Sequence, residues 1–191
     1  MLWVIMLPLL GILEETTFNQ CNSQPWPKIT GKPMKLHTKP DIKPNYRRKL
    51  TIVLNHFWEQ VRNGLEADVR KGILVRVPDG ESMEWCTRMV VQMKKNGTAC
   101  RTVDLSYLSR NGLPEPHHTR STPIIAKSVP AGKLKAFLDC NDGYHGIKID
   151  ADDRKKTAFA TEWGCYRNER VPQEYLSSGY INGRHTDAII E

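Results

Sequence analysis

The chain has 191 residues, 39% of them hydrophobic and 26% charged, with a mean hydropathy of -0.51. Those proportions exclude a multi-span membrane protein and a wholly disordered chain, and leave enough apolar side chains for a core. Twenty-eight Lys and Arg against 21 Asp and Glu give a net charge of +7 and a pI near 9.2, the balance of a basic soluble protein or of one whose partner is rich in phosphate.

The opening run, "MLWVIMLPLLGIL", is apolar. No Lys or Arg precedes it, "EETTF" after it offers no small-residue cleavage site, and it is too short to cross a bilayer as a helix. A buried strand or a mis-set start codon accounts for it better than a signal peptide, so the expected location is intracellular, cytoplasmic or nuclear, with no membrane partner. Pro25 to Lys49 holds five prolines and eight basic residues against the single acid Asp41. Proline fixes φ and removes ladder donors, which makes this segment an extended arm. It is either a solvated linker or a strap lying near a phosphate backbone.

Phe57, Val61, Leu65 and Val69 recur at four-residue spacing and predict an amphipathic helix that Gly72 is placed to end. "ILVRVP" reads as a short strand stopped by Pro78, and "DGES" as a turn. Two strand-like runs in "WCTRMVVQMKKNGTACRTVDLS" flank Lys95-Asn96-Gly97-Thr98, and Asn-Gly between such runs predicts a hairpin. Lys94 and Lys95 stand just before its tip and Arg101 on the returning strand, either simply solvated or gripping a polyphosphate as a flap.

Residues 109–133 carry four prolines and read as a connector. The adjacent His117 and His118 have no helical metal-pair spacing and read as loop histidines. Cys21, Cys86, Cys100, Cys140 and Cys165 are odd in number and widely spaced, so they form neither a CxxC pair nor a disulfide framework and fit a reducing compartment. Trp163-Gly164 predicts a turn between two short strands. A helix is expected from Ser177, with Ile181, Ala188 and Ile189 as its apolar residues.

"LKAFLDCNDGYHGIKID", Leu134 to Asp150, runs an apolar segment into Asp139. A carboxylate at the end of a buried strand is costly unless something cationic meets it. A hard cation such as Mg²⁺, sharing its coordination sphere with substrate phosphates, is one candidate.

With these residues in view, the chain from about Phe18 to Glu191 resembles the reverse transcriptase domain of gypsy-type LTR retrotransposon Pol polyproteins. The likeness is carried, in order, by "FNQC", "GKPMKLHTKPDIKP", "WCTRMVVQMKKNG", "CRTVDLSYL", "EPHHT", "LDCNDGYHGIKID", "TAFATEWGCYR" and "PQEYLSSG". It implies an α+β fold, the fingers and incomplete palm of a right-hand polymerase, with antiparallel strands and flanking helices. Residues 1–24 would be an N-terminal flank and 25–50 the basic Pro-rich arm. Residues 51–191 would be the reverse transcriptase domain, with fingers over about 51–133 and palm with the fingers' return over about 134–191.

The implied activity is template-directed transfer of dNTP to a primer 3'-OH, with Mg²⁺ as cofactor and an RNA or DNA template-primer as partner. Asp139 would be the catalytic residue and metal ligand. Lys94 or Lys95 would contact the γ-phosphate, Asp142 and Gly143 would present backbone amides to the triphosphate, and Tyr144 would exclude a ribose 2'-OH. Arg101 and Gln173 complete the implied nucleotide site.

Cys100 stands where the family commonly has Arg, with Arg101 one residue on and facing the other way by strand alternation. Glu174 replaces the Gly usual after Gln173, and Ser109 replaces an Asn. The family's Tyr-x-Asp-Asp motif, which supplies the second and third metal-binding carboxylates, is absent from these 191 residues. The chain alone is therefore expected to be inactive. The alternative is a non-enzymatic nucleic-acid-binding module that uses the arm and the Lys94-Lys95 hairpin.

Overall fold

A computed structural model describes residues 31–47, 50–115, 127 and 143–190. Helix α1 spans Asn55–Arg70 and buries Phe57, Val61 and Leu65. Val69, expected on the same stripe, is instead 36% exposed. Each four-residue step overshoots a 3.6-residue turn by about 40°, so after three steps Val69 has rotated about 120° from Phe57. Gly72, at φ 67, ends the helix as expected. The Gly72 and Ile73 amides donate back to Val69 O at 3.0 Å and Asp68 O at 2.9 Å, a left-handed cap that only glycine enters without strain.

Five strands follow: β1 (Leu74–Arg76), β2 (Thr87–Met93), β3 (Ala99–Val103), β4 (Phe159–Thr161) and β5 (Gly164–Asn168). They form one sheet in the order β1-β5-β4-β2-β3. The β2–β3 hairpin pairs Met89 with Val103 and Met93 with Ala99. Lys94 N donates to Thr98 O at 2.8 Å, and Gly97 supplies φ 79 at the tip. Trp163 and Gly164 turn β4 into β5, as the sequence predicts. The sheet is not wholly antiparallel, because β2 and β4 run parallel, with Thr87 opposite Phe159. Two strands so far apart in sequence are joined by a crossover, which permits the parallel pairing.

The α1 stripe packs on the sheet through Ile73, Leu74, Met89, Phe159 and Tyr166. A second cluster gathers Met34, Leu36, Trp85, Leu105, Leu108, Ile147, Ile149, Val171, Tyr175 and Ile181. It overturns the solvated-linker reading of the arm over its described part. Met34 and Leu36 are each 1% exposed, while Lys35 between them faces out, the period of an extended segment lying on a core. Met34 bridges Ile149 in parallel. Leu36 N donates to Asp153 Oδ2 at 2.8 Å, and Lys156 Nζ donates to Leu36 O at 3.1 Å.

Two helices complete the description. The short α2 (Ser106–Arg110) was not expected from the sequence; it buries Leu108, and Ser106 N donates to Asp104 Oδ1 at 3.3 Å. Helix α3 (Ser178–Ile190) fulfils the expectation for the tail, and Ile181 is 1% exposed. No helix among the described residues is long and apolar enough to cross a membrane.

Candidate functional site

The hairpin, the end of α1 and the segment after β5 enclose a cleft of ≈ 320 Å³. Lys94, Arg101, Thr102, His145, Asn168, Gln173 and Glu174 line it above a floor that includes Ile73, Leu74, Met89 and Phe159. Three of the residues assigned from the sequence, Lys94, Arg101 and Gln173, thus share one cavity. Lys95 is exposed at the hairpin tip and does not line it. Gly143 and Tyr144 belong to a 3-10 turn over Gly143–Gly146, whose His145 reaches the cleft wall while Tyr144 packs against the second core cluster. Asp139, Asp142, His117 and His118 lie outside the described residues.

Arg101 follows strand alternation to the face of β3 that carries Ala99 and Val103, both packed toward α1. There its Nη2 meets Asp68 Oδ2 at 3.0 Å. The guanidinium lies over Gly64, where a Cβ would stand only 2.8 Å from Nη2. A bare glycine on the helix and an acid one turn further on therefore hold the arginine against α1, and the acid offsets its charge.

Two further groups shape the cleft. Asn168 is 5% exposed, and its Nδ2 has no hydrogen-bond partner among the described residues. Glu174 is exposed yet crowded at the mouth, and desolvation pushes its carboxyl above the ordinary range, opposed by a weaker backbone hydrogen bond. Arg170, 3% exposed, donates to Gly72 O at 3.1 Å and Gly146 O at 3.3 Å. Burial lowers its guanidinium from the usual value, partly offset by Glu169. One side chain thereby fastens the end of α1 to the turn that carries Tyr144.

Asn168, Asp68 and Arg170 are absent from the sequence reading. The signal for two of them was available: Tyr166, Asn168 and Arg170 alternate with more exposed residues, which puts two polar side chains on an inward face where each needs a partner.

At the base of the hairpin a second cleft, ≈ 300 Å³, is lined by Asn45, Arg47, Thr87, Arg88, Asp104, Ser106, Tyr107 and Arg110. Asp104 pairs with Arg88 at 3.2 Å. Hydrogen bonding by Ser106, with Arg88 assisting, holds its carboxyl below the ordinary range against a desolvation cost. Three arginines face one carboxylate here, an arrangement suited to phosphate. Among the described residues no group of three or more His, Cys, Asp or Glu could hold a metal ion. Asp139, the expected Mg²⁺ ligand, lies outside the described residues, and no step through the metal follows from this geometry.

No protein-family model matches the sequence. Among solved structures, the chain is similar to the native protease-reverse transcriptase of prototype foamy virus, with a TM-score of 0.75 and 18% sequence identity. The selenomethionine-labelled CSH mutant of that protein gives the same values. The match covers 96% of this chain and 24% of each of those chains, so this chain spans about a quarter of their length. The fold is reverse transcriptase-like.

Proposed function

We propose that the chain is part of an RNA-directed DNA polymerase of the gypsy-type LTR retrotransposon class, contributing the fingers and part of the palm of a right-hand polymerase. The observation that carries this reading is the convergence of Lys94, Arg101 and Gln173 on one cleft within a reverse transcriptase-like fold. In the reaction a primer 3'-oxygen attacks the α-phosphorus of a dNTP and pyrophosphate leaves. Lys94 or Lys95 contacts the γ-phosphate and neutralises the charge that develops on the departing pyrophosphate. Arg101 reaches a phosphate by exchanging Asp68 for it. Tyr144, partly buried against the second core cluster and next in sequence to His145 of the cleft wall, blocks a ribose 2'-OH, while Gly143 and Asp142 offer backbone amides and Gln173 lies beside the sugar.

Mg²⁺ bound by Asp139 and two further carboxylates would activate the attacking oxygen and neutralise the phosphates. These 191 residues lack the Tyr-x-Asp-Asp carboxylates, so the isolated chain extends no primer. The test of the nucleotide site is equilibrium binding of dATP and ATP to the full chain. The parent binds dATP more tightly, and Tyr144→Ala removes the difference. Equal affinities in the parent would remove the support for this site.

A second reading, a non-enzymatic nucleic-acid-binding module, is favoured by the cleft of Arg47, Arg88 and Arg110. It requires that duplex or single-strand binding weaken with salt, by roughly 0.7 to 0.9 log units per tenfold salt for each phosphate contacted. Arg47→Glu should flatten that slope. Binding that ignores both salt and this substitution eliminates the reading.

A further inference from the structure

Away from both clefts, a cavity of ≈ 490 Å³ opens between one flank of α1, Arg76 of β1 and the β4–β5 turn. Arg62, Glu66, Val69 and Arg70 line it, and their spacing of four, seven and eight residues puts them on one helix face. Val69, the apolar residue that α1 leaves out of the core, is 36% exposed there. Trp163 and Tyr166 close the other side.

The electrostatics are one-sided. Glu66 is matched by Arg62 at 3.1 Å, which leaves Arg70 and Arg76 without an ion pair among the described residues. Arg76 is nonetheless held: its Nη2 donates to Trp163 O at 3.1 Å. It also lies against Gly164, at φ +125, where a Cβ would come within 3.3 Å of the guanidinium. A pre-positioned arginine loses little entropy on meeting an anion. The rings are already engaged. Trp58 and Trp163 pack edge to face at 5.2 Å, and Arg62 caps Trp58 at 5.6 Å, so no open aromatic platform is offered to a stacked base.

We propose that this face is a docking surface for an acidic peptide segment of a partner protein. One bulky apolar side chain of the segment seats against Val69 and Trp163, and flanking carboxylates pair with Arg70 and Arg76. Charge complementarity selects the acidic partner, and aromatic and arginine side chains around a pocket are the composition that carries most binding energy at protein interfaces.

The test is fluorescence anisotropy on the full chain with a labelled twelve-residue peptide of glutamates around a central Trp-Leu pair. A lysine-for-glutamate version and a labelled twelve-nucleotide oligo-uridine serve as comparators. The acidic peptide binds, the basic one does not, and Arg70→Glu or Arg76→Glu each weakens binding at least tenfold while Lys94→Glu leaves it unchanged. Arg70 is exposed and makes no side-chain bond among the described residues, so its variant keeps the parent's near-ultraviolet circular dichroism. No binding of the acidic peptide, or binding insensitive to Arg70→Glu, overturns the proposal. Oligo-uridine binding that falls with Arg70→Glu while peptide binding stays constant also overturns it, in favour of a nucleic-acid face.

Discussion

Gly64→Ala separates the structural and the substrate-binding roles of Arg101. A Cβ at position 64 meets the guanidinium at 2.8 Å, and the atoms in the way are the far end of a flexible side chain, so the arginine swings out rather than the helix moving. Replacing a helix-interior glycine by alanine gains about 1 kcal/mol. The Arg101–Asp68 pair that is given up is partly exposed, 24% and 25% for the two side chains, and is worth about 1 kcal/mol or less.

The net change in stability is therefore between about 0 and 1 kcal/mol in favour of the variant, measurable as an unchanged or slightly raised urea midpoint. The freed guanidinium then has only the ligand to meet. The parent gives up the Asp68 pair before its arginine meets a phosphate and the variant does not, so the variant binds inorganic triphosphate more tightly by the worth of that pair, up to about 5-fold for about 1 kcal/mol, read by calorimetry. A loss of more than about 1 kcal/mol in stability would show that the guanidinium cannot leave Gly64. An equal gain in the Gly64→Ala/Arg101→Ala double variant would show that Arg101 is not its source.

Leu36→Ala should cost about 2 to 5 kcal/mol in urea unfolding, and a cost below about 1 would mean the arm is not part of the folded core. Lys94→Ala should weaken triphosphate binding and lower its salt slope, whereas an unchanged slope would remove the hairpin tip from the site. Glu174→Gln tests the acid at the mouth. Because desolvation raises its carboxyl above the ordinary 4.5, the folded state holds that proton more tightly than the unfolded one, and stability is given up as pH rises from 4.5 through the raised value. The variant should match the parent near pH 4 and exceed it at pH 7; the same difference at both pH values would refute the assignment.

What the sequence revealed was local, and what it withheld was long-range. Asn96-Gly97 and Trp163-Gly164 name their turns because the backbone conformation is written in the residues themselves, and Gly72 names the end of α1 for the same reason. The packing of Met34 and Leu36 was harder to see. Their alternation with Lys35 is a strand period, but it sits in a basic, proline-rich stretch whose partners Ile149 and Asp153 come more than a hundred residues later. The parallel pairing of β2 with β4 and the Arg101–Asp68 pair depend equally on chain segments that local pattern cannot join. That Lys94, Arg101 and Gln173 share one cavity follows from long-range pairing that periodicity could not show; only the family resemblance grouped them in advance.

The hairpin links the two clefts in a way that suits a flap. At its base Asp104 N donates to Arg88 O at 3.0 Å, the two side chains pair at 3.2 Å, and Thr87 Oγ1 donates to Asp104 O at 2.7 Å. At its tip Lys94 and Lys95 are exposed and make no ion pair among the described residues. The base is held by several side-chain bonds, and near the tip Ala99 N donates to Gln60 Oε1 of α1 at 3.1 Å, so an arriving anion would have to break that bond for the strands to move as one lever. Arg101 is partway along, paired with Asp68 at 3.0 Å. In the proposed polymerase, closure over the triphosphate and release of Arg101 from α1 would therefore be the same motion.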